Sequence, residues 1–183
     1  MPKTWQPKTW LVFIYKVPSE PARKRVFVWR RLTQFGALYL QQAVCLLPHT
    51  RERTAELENL AARVREFEGE ATLLRAVSMD AAWEKDILNR FNADRDTLYT
   101  KIRGETAKFV DEIKREADRR HYTLGELDEL EEWLQGLRRR FEKVKQRDFF
   151  RAQGAAQTRD TLKTAEERFE AFAERVEQVA RGK

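Results

Sequence analysis

The chain has 183 residues, with 36 Lys or Arg, 30 Asp or Glu and a formal net charge of +6. Residues 1–50 hold eight basic residues and one acidic residue, whereas residues 80–183 hold 23 of each sign. Such a local positive cluster indicates a polyanion or an oxyanion as partner. No apolar run reaches the roughly 18 residues needed to cross a bilayer, and no signal peptide precedes the basic region. With a single cysteine, these features favour a cytoplasmic protein with no membrane partner.

The first half of the chain alternates strand and helix signals. The apolar run at 10–15 predicts a strand buried on both faces and ending at Lys16. Ser19 is the predicted N-cap of the next helix, and Gly36 is its predicted end. The runs ALYLQ and QAVCLLP that follow, which meet at two glutamines, predict a hairpin or a bulged bend.

A second helix and a fourth strand complete this half. Thr50 caps the helix, Gly69 ends it, and residues 71–77 form the strand. The order predicts an α+β fold whose N-terminal half is a ferredoxin-like β-α-β-β-α-β sandwich, spanning residues 1–79.

Residues 80–183 are rich in Ala, Glu, Arg, Leu and Lys and show helical periodicity. A long helix comes first, and Thr123 with Glu126 forms a capping box for the next one. Apolar residues at alternating steps of three and four follow in two seams, Leu127 to Val144 and Leu162 to Val179. The pattern predicts an antiparallel three-helix bundle packed against the first domain, with a turn near residues 148–154. An intermolecular coiled coil is the alternative use of these seams.

The first helix carries the candidate site. Its predicted sheet-facing residues are Ala22, Val26, Trp29, Leu32 and Phe35. Its predicted outward residues are Arg23, Lys24, Phe27, Arg30, Arg31 and Gln34. An exposed Phe among basic side chains would neutralise phosphates and stack on a base or wedge a base step. A solvated charged face is the competing interpretation, but solvated faces usually mix signs, and no acidic residue lies between Arg23 and Glu52.

Catalytic and metal-binding patterns are scarce. The two histidines, His49 and His121, have no second His or Cys at ligand spacing, so we expect no metal site. Cys45 lies within an apolar run, which is typical of a buried and unreactive thiol. No glycine-rich phosphate loop is present. We therefore expect no catalytic residue, no cofactor and no enzyme activity.

Two long stretches resemble a known family. W-L-V-F-I-Y-K-V-P-S-E-P-A-R-K-R and G-A-L-Y-L-Q-Q-A-V-C-L-L-P are similar to the N-terminal domain of the bacterial chromate-resistance regulators, as are T-L-G-E-L-D-E-L-E-E-W-L and F-E-A-F-A-E further on. The resemblance implies a cytoplasmic, DNA-binding regulator of a chromate efflux operon. It also implies a further C-terminal chromate-resistance domain in full-length members, which residues 1–183 are expected to lack.

More distantly, residues 1–79 resemble the ferredoxin-like module of phenylacetate-pathway repressors and small CRISPR-associated endonucleases. That resemblance implies a homodimer and, in the nucleases, a metal-binding Asp at the end of the first strand. This chain has Tyr15 and Lys16 there. A charged lysine repels Mg²⁺, so Lys16 argues against phosphodiester cleavage and for anion binding.

Three functions remain open at this point. The first is a DNA-binding transcriptional regulator that uses the basic helix. In the second, Lys16 and nearby arginines bind chromate or sulfate, and the protein is an oxyanion sensor or accessory protein. The third is an interaction module that uses the bundle surface. We expect the first.

Overall fold

The computed structural model describes residues 8–182 and shows an α+β protein. Within this range the chain forms one four-stranded antiparallel sheet and five helices. The elements, in chain order, are β1 (Thr9–Lys16), α1 (Ala22–Phe35), β2 (Leu38–Gln41), β3 (Val44–Pro48), α2 (Arg51–Glu66), β4 (Glu70–Val77), α3 (Ala81–Asp118), α4 (Leu124–Lys145) and α5 (Gly154–Arg181).

The chain divides into two compact units, residues 1–91 and residues 92–183. We call them the sheet unit and the helical unit. The boundary between them lies within helix α3. The division predicted between residues 79 and 80, and the packing of the two parts against each other, stay predictions.

The sheet has the strand order β2-β3-β1-β4, so that β1 lies between β3 and β4. Phe13 of β1 is opposite Cys45 of β3 and Leu73 of β4. Leu11 and Phe13 are almost fully buried, and Trp10 stacks on Phe91 with ring centroids 5.9 Å apart. The prediction that β1 is buried on both faces holds for its first half and fails at its end. There, Ile14 and Lys16 are exposed.

Strands β2 and β3 form a hairpin, with the turn at residues 42–43. Tyr39 is opposite Cys45 and Gln41 is opposite Val44, so the register shifts between these two pairs. One extra residue in a strand produces such a bulge and bends it. The two alternatives predicted for this segment are therefore both present.

The C-terminal end of helix α1 lies where the sequence predicts it, but the N-cap is a different residue from the predicted one. Gly36 has a φ of 79°, in the left-handed region that glycine tolerates best, and its N–H closes the last turn on Leu32 and Thr33. Ser19 is not the N-cap. Pro21 holds that position, with extended backbone angles and no side-chain hydrogen bond.

The ends of helix α2 show one confirmed prediction and one correction. Thr50 is the N-cap, and its hydroxyl accepts a hydrogen bond from the Arg53 N–H at 3.2 Å. At the other end the left-handed residue is Glu68, with a φ of 63°, and not Gly69. Gly69 is needed for another reason: a Cβ there would lie 2.4 Å from the backbone oxygen of Lys16.

The helical unit is built around one apolar cluster to which α3, α4 and α5 all contribute. Both predicted seams face it. The buried seam residues are Leu130, Leu134, Leu137, Phe141 and Val144 on α4, and Leu162, Ala165, Phe169, Phe172 and Val176 on α5. Thr123 is the N-cap of α4 and accepts a hydrogen bond from the Glu126 N–H, as predicted. Among residues 8–182, no helix is long and apolar enough to cross a membrane.

Candidate nucleic-acid interface

Helix α1 packs through a different set of residues from the predicted one. Val28 and Leu32 are completely buried, whereas Val26 is 41% exposed and Trp29 is 53% exposed. At about 100° per residue, Val28, Leu32 and Phe35 lie within about 60° of one another, and Val26 lies about 120° from Leu32. The predicted apolar arc was therefore too wide, and Val26 and Trp29 belong to the outward face.

Four of the six predicted site residues, three arginines and Phe27, meet on that outward face. Arg23, Arg30 and Arg31 are exposed, and with Val26, Phe27 and Gln34 they line a depression of about 470 Å³. We call this surface the arginine depression. Among the described residues no carboxylate forms an ion pair with these three arginines, although Arg31 bonds to the Gln34 oxygen at 3.4 Å. Their charge is therefore available to a polyanion in solution.

Phe27 lies in the lining of the depression but is half-buried, which corrects the prediction of an exposed ring. It packs edge to face on Phe67, just beyond α2, with ring centroids 5.6 Å apart. The Arg31 guanidinium lies 5.6 Å from the Phe27 ring centroid. Phe27 therefore helps to fasten α1 to α2 and positions Arg31, so it is poorly placed to act as a wedge between bases.

Lys24 points away from the depression and binds the end of α2. Its Nζ donates to the Phe67 carbonyl oxygen at 3.2 Å and lies 3.8 Å from the Glu68 carboxylate. A cation at a helix C-terminus also interacts favourably with the helix dipole. The Lys24 ammonium group is thus held by residues more than 40 positions away in the sequence, which offset part of its charge.

Lys16 is not among the residues that line the arginine depression. It is the last residue of β1 and lies directly opposite Glu70 in the β1–β4 pairing. Opposite charges in such cross-strand positions attract each other. The structure therefore does not bring Lys16 together with Arg23, Arg30 and Arg31, although the sequence suggested one anion pocket for them.

Three neighbouring polar side chains of the sheet unit, those of Cys45, Tyr15 and Tyr39, are poorly suited to catalysis. Cys45 is fully buried, and burial raises the pKa of its thiol to about 12. Burial also raises the pKa of Tyr15 and of Tyr39, whose hydroxyls lie 3.2 Å apart. All three groups are neutral at physiological pH, so the thiol is a weak nucleophile, as the sequence predicted.

The comparison with family models identifies the chain. The model described as "Protein ChrB, N-terminal" matches residues 25–183. The chain belongs to this ChrB family. Membership implies involvement in the regulation of chromate resistance, and it confirms the family expected from the sequence. The match includes the second stretch and the two helical segments that carry the resemblance, whereas the first stretch precedes it except for Arg25. Neither the curated proteins nor the solved structures contain a match to this chain.

The ChrB match covers part of the candidate site. Phe27, Arg30 and Arg31 lie within the matched range, and Lys16, Arg23 and Lys24 precede it. Two relevant aromatic residues were missed from the sequence. Trp29 was assigned to the buried side. Phe67 was expected on the apolar stripe of the second helix, and its contact with Phe27 was missed because it joins distant parts of the chain. Because helix α1 has apolar residues on both of its sides, its periodicity carries no signal that would have placed Trp29 outside.

Proposed function

We propose that this protein is a cytoplasmic, DNA-binding, non-catalytic regulator of a chromate-resistance operon, and that the arginine depression on α1 contacts DNA phosphates. The observation that carries the proposal is the grouping of Arg23, Arg30 and Arg31 on one exposed helix face, where no carboxylate of residues 8–182 pairs with them. An open depression lined by exposed arginines suits a polymer with several phosphates better than one small anion, since exposed charges attract a single ion weakly in water.

Trp29 would add an aromatic contact to this interface. Its ring is 53% exposed on the same helix and directly precedes Arg30 in the sequence, although Trp29 is not among the residues that line the arginine depression. An exposed indole beside basic side chains stacks on bases or sugars and contributes affinity without neutralising charge. We assign to Trp29 the role that the sequence suggested for Phe27.

We also infer a ferredoxin-like sandwich and a three-helix bundle for the two units. The element order β1-α1-β2-β3-α2-β4 and the sheet order β2-β3-β1-β4 support the first. The shared core of α3, α4 and α5 supports the second. We propose a homodimer, because β2 and β4 are sheet edges and a symmetric pair would read two half-sites.

The test is fluorescence anisotropy with the untagged protein and labelled duplexes. One duplex carries the DNA upstream of the chromate-resistance operon, and a second carries the same bases in scrambled order. We expect the upstream duplex to bind at least about a thousandfold more tightly than the scrambled one. Equal affinity for the two duplexes would contradict the regulator proposal. Incubation of either duplex with Mg²⁺ and the protein should leave it intact, and cleavage that a chelator abolishes would contradict the non-catalytic assignment.

A second candidate function, an oxyanion sensor, is favoured by Arg95 in the helical unit. This residue is 6% exposed, and its Nε and Nη1 have no hydrogen-bond partner within the described part of the chain. Burial and the positive charge of Arg147 lower its pKa, while Asp94 and Asp148 raise it. A bound chromate or sulfate would satisfy these donors, since buried donors without partners are costly.

Calorimetric titration separates this function from DNA binding. With chromate and sulfate at constant ionic strength, we expect a saturable signal that Arg95→Met removes. DNA binding should persist in that variant. A chromate signal unchanged in Arg95→Met would exclude Arg95 as the sensor.

A further inference from the structure

Three potential metal ligands converge where α3 is joined to α4. They are Glu116, His121 and Glu126, and one ligand atom from each lies within 4.8 Å of the other two. The closest pair is Glu116 Oε2 and His121 Nδ1, at 3.0 Å. Ligand atoms bound to one tetrahedral Zn²⁺ at about 2.0–2.1 Å lie roughly 3.4 Å apart, so small side-chain adjustments would complete a site.

The local backbone fixes all three residues in place. Glu116 is in the last turn of α3, and its carbonyl oxygen accepts the His121 N–H at 2.9 Å. Arg120, with a φ of 57°, reverses the chain between them. Thr123 then caps α4, and its Oγ1 accepts a hydrogen bond from the Glu126 N–H at 3.2 Å. Because the convergence depends on this turn, the spacing of the three residues along the chain does not by itself indicate a metal site.

The electrostatic environment favours a cation between the two carboxylates. The Glu116 side chain is only 5% exposed, while His121 is 61% exposed and open to entry from solvent. Arg119 Nη1 donates to Glu116 Oε1 at 3.1 Å. This bond orients the carboxylate and leaves Oε2 towards His121, in the manner of an outer-shell contact. Arg119 also repels a cation, so the site needs both glutamates to be ionised.

We propose that Glu116, His121 and Glu126 bind one Zn²⁺ ion, through His121 Nδ1 and one oxygen of each carboxylate, with water in the fourth position. The mixed nitrogen and oxygen donor set suits Zn²⁺ better than Mg²⁺ or Ca²⁺, which prefer oxygen ligands alone. Two carboxylates balance the charge of the ion. A bound ion would tie the end of α3 to the first turn of α4. The proposal does not rest on the DNA-binding function.

The experiment uses the untagged 183-residue protein after a chelator has stripped it of metal. Co²⁺ serves as a spectroscopic probe, because its visible absorption strengthens when six water ligands give way to four-coordinate binding. We expect one equivalent of Co²⁺ to bind and Zn²⁺ to displace it. His121→Gln and Glu126→Gln should each weaken binding at least about tenfold, since even outer-shell substitutions cost 10–100-fold.

His49→Gln is the matched control, because it removes the other histidine of the chain, and it should bind metal as the wild type does. Glu126→Gln keeps the backbone N–H that Thr123 caps, so this variant decides the matter if His121→Gln fails to fold. Circular dichroism verifies folding. If the wild type binds no Co²⁺ or Zn²⁺, or if folded His121→Gln and Glu126→Gln bind as tightly as the wild type, the three residues form only a hydrogen-bonded helix connection and the proposal is wrong.

Discussion

The arginine depression predicts a specific dependence of DNA affinity on salt. If Arg23, Arg30 and Arg31 each contact one phosphate, the slope of log affinity against log salt is about −2.7 per protomer and about −5.4 per dimer, at roughly 0.9 per contact. A slope of about −5.4 corresponds to a loss of affinity of roughly 2,000-fold between 50 and 200 mM salt. Replacing all three with Gln should remove this part of the slope. Lys24 is omitted because Phe67 and Glu68 already hold its ammonium group.

The assay is the same anisotropy titration, repeated at four or more salt concentrations. The matched control replaces three exposed arginines of the helical unit, Arg139, Arg159 and Arg168, with Gln, so the change in net charge is equal. The control should keep the wild-type slope. Both variants should fold, because exposed charge substitutions usually change stability by less than about 0.5 kcal/mol each. If the triple variant in α1 keeps the wild-type slope, or if the control flattens it equally, α1 does not provide the phosphate contacts.

Three further predictions concern single residues. Trp29→Ala should lower DNA affinity by about 1–3 kcal/mol without altering the salt slope, because an aromatic ring neutralises no phosphate; a changed slope in the anisotropy assay would refute this role. Gly69→Ala should lower the free energy of unfolding by about 1–3 kcal/mol in urea titrations, because the new Cβ would meet the Lys16 backbone oxygen. Gly104 has open space around it inside α3, so Gly104→Ala should raise the free energy of unfolding by up to about 1 kcal/mol. Cys45 should resist iodoacetamide in the native protein at pH 8 and react after denaturation, since burial raises its thiol pKa to about 12; rapid native alkylation, measured by mass spectrometry, would show that the strand opens readily.

Features that depend on neighbouring residues were predictable from the sequence. Thr50 and Thr123 were identified as caps because an N-cap hydroxyl accepts a bond from a backbone N–H only three residues ahead. Gly36 was identified because a left-handed residue after an apolar periodic run is most often glycine. The seams of α4 and α5 were found for the same reason, since a helix with one buried stripe repeats it every three or four residues.

Features that depend on distant residues were not predictable in this way. Helix α1 has apolar residues on both of its sides, so periodicity alone does not say whether Trp29 or Val28 is buried. The contacts of Lys24 and Phe27 with the end of α2 span about 40 positions. Gly69 was predicted as the residue that ends α2, and the structure needs a glycine there for a different reason. The left-handed turn falls one residue earlier, at Glu68, and the glycine makes room for the β1 backbone.

The contacts of Lys24 show why a count of basic residues is a poor measure of a binding surface. Lys24 and Arg23 are adjacent in the sequence and equal in charge, but one turns towards a helix C-terminus and a carboxylate while the other remains in solvent. A phosphate that approached Lys24 would compete with the Phe67 carbonyl and Glu68 for the same ammonium protons. Arg23, Arg30 and Arg31 have no such competing carboxylate among the residues described. The affinity of α1 for a polyanion therefore depends on which charges the α1–α2 contact leaves uncompensated, and the net charge of residues 1–50 overstates it.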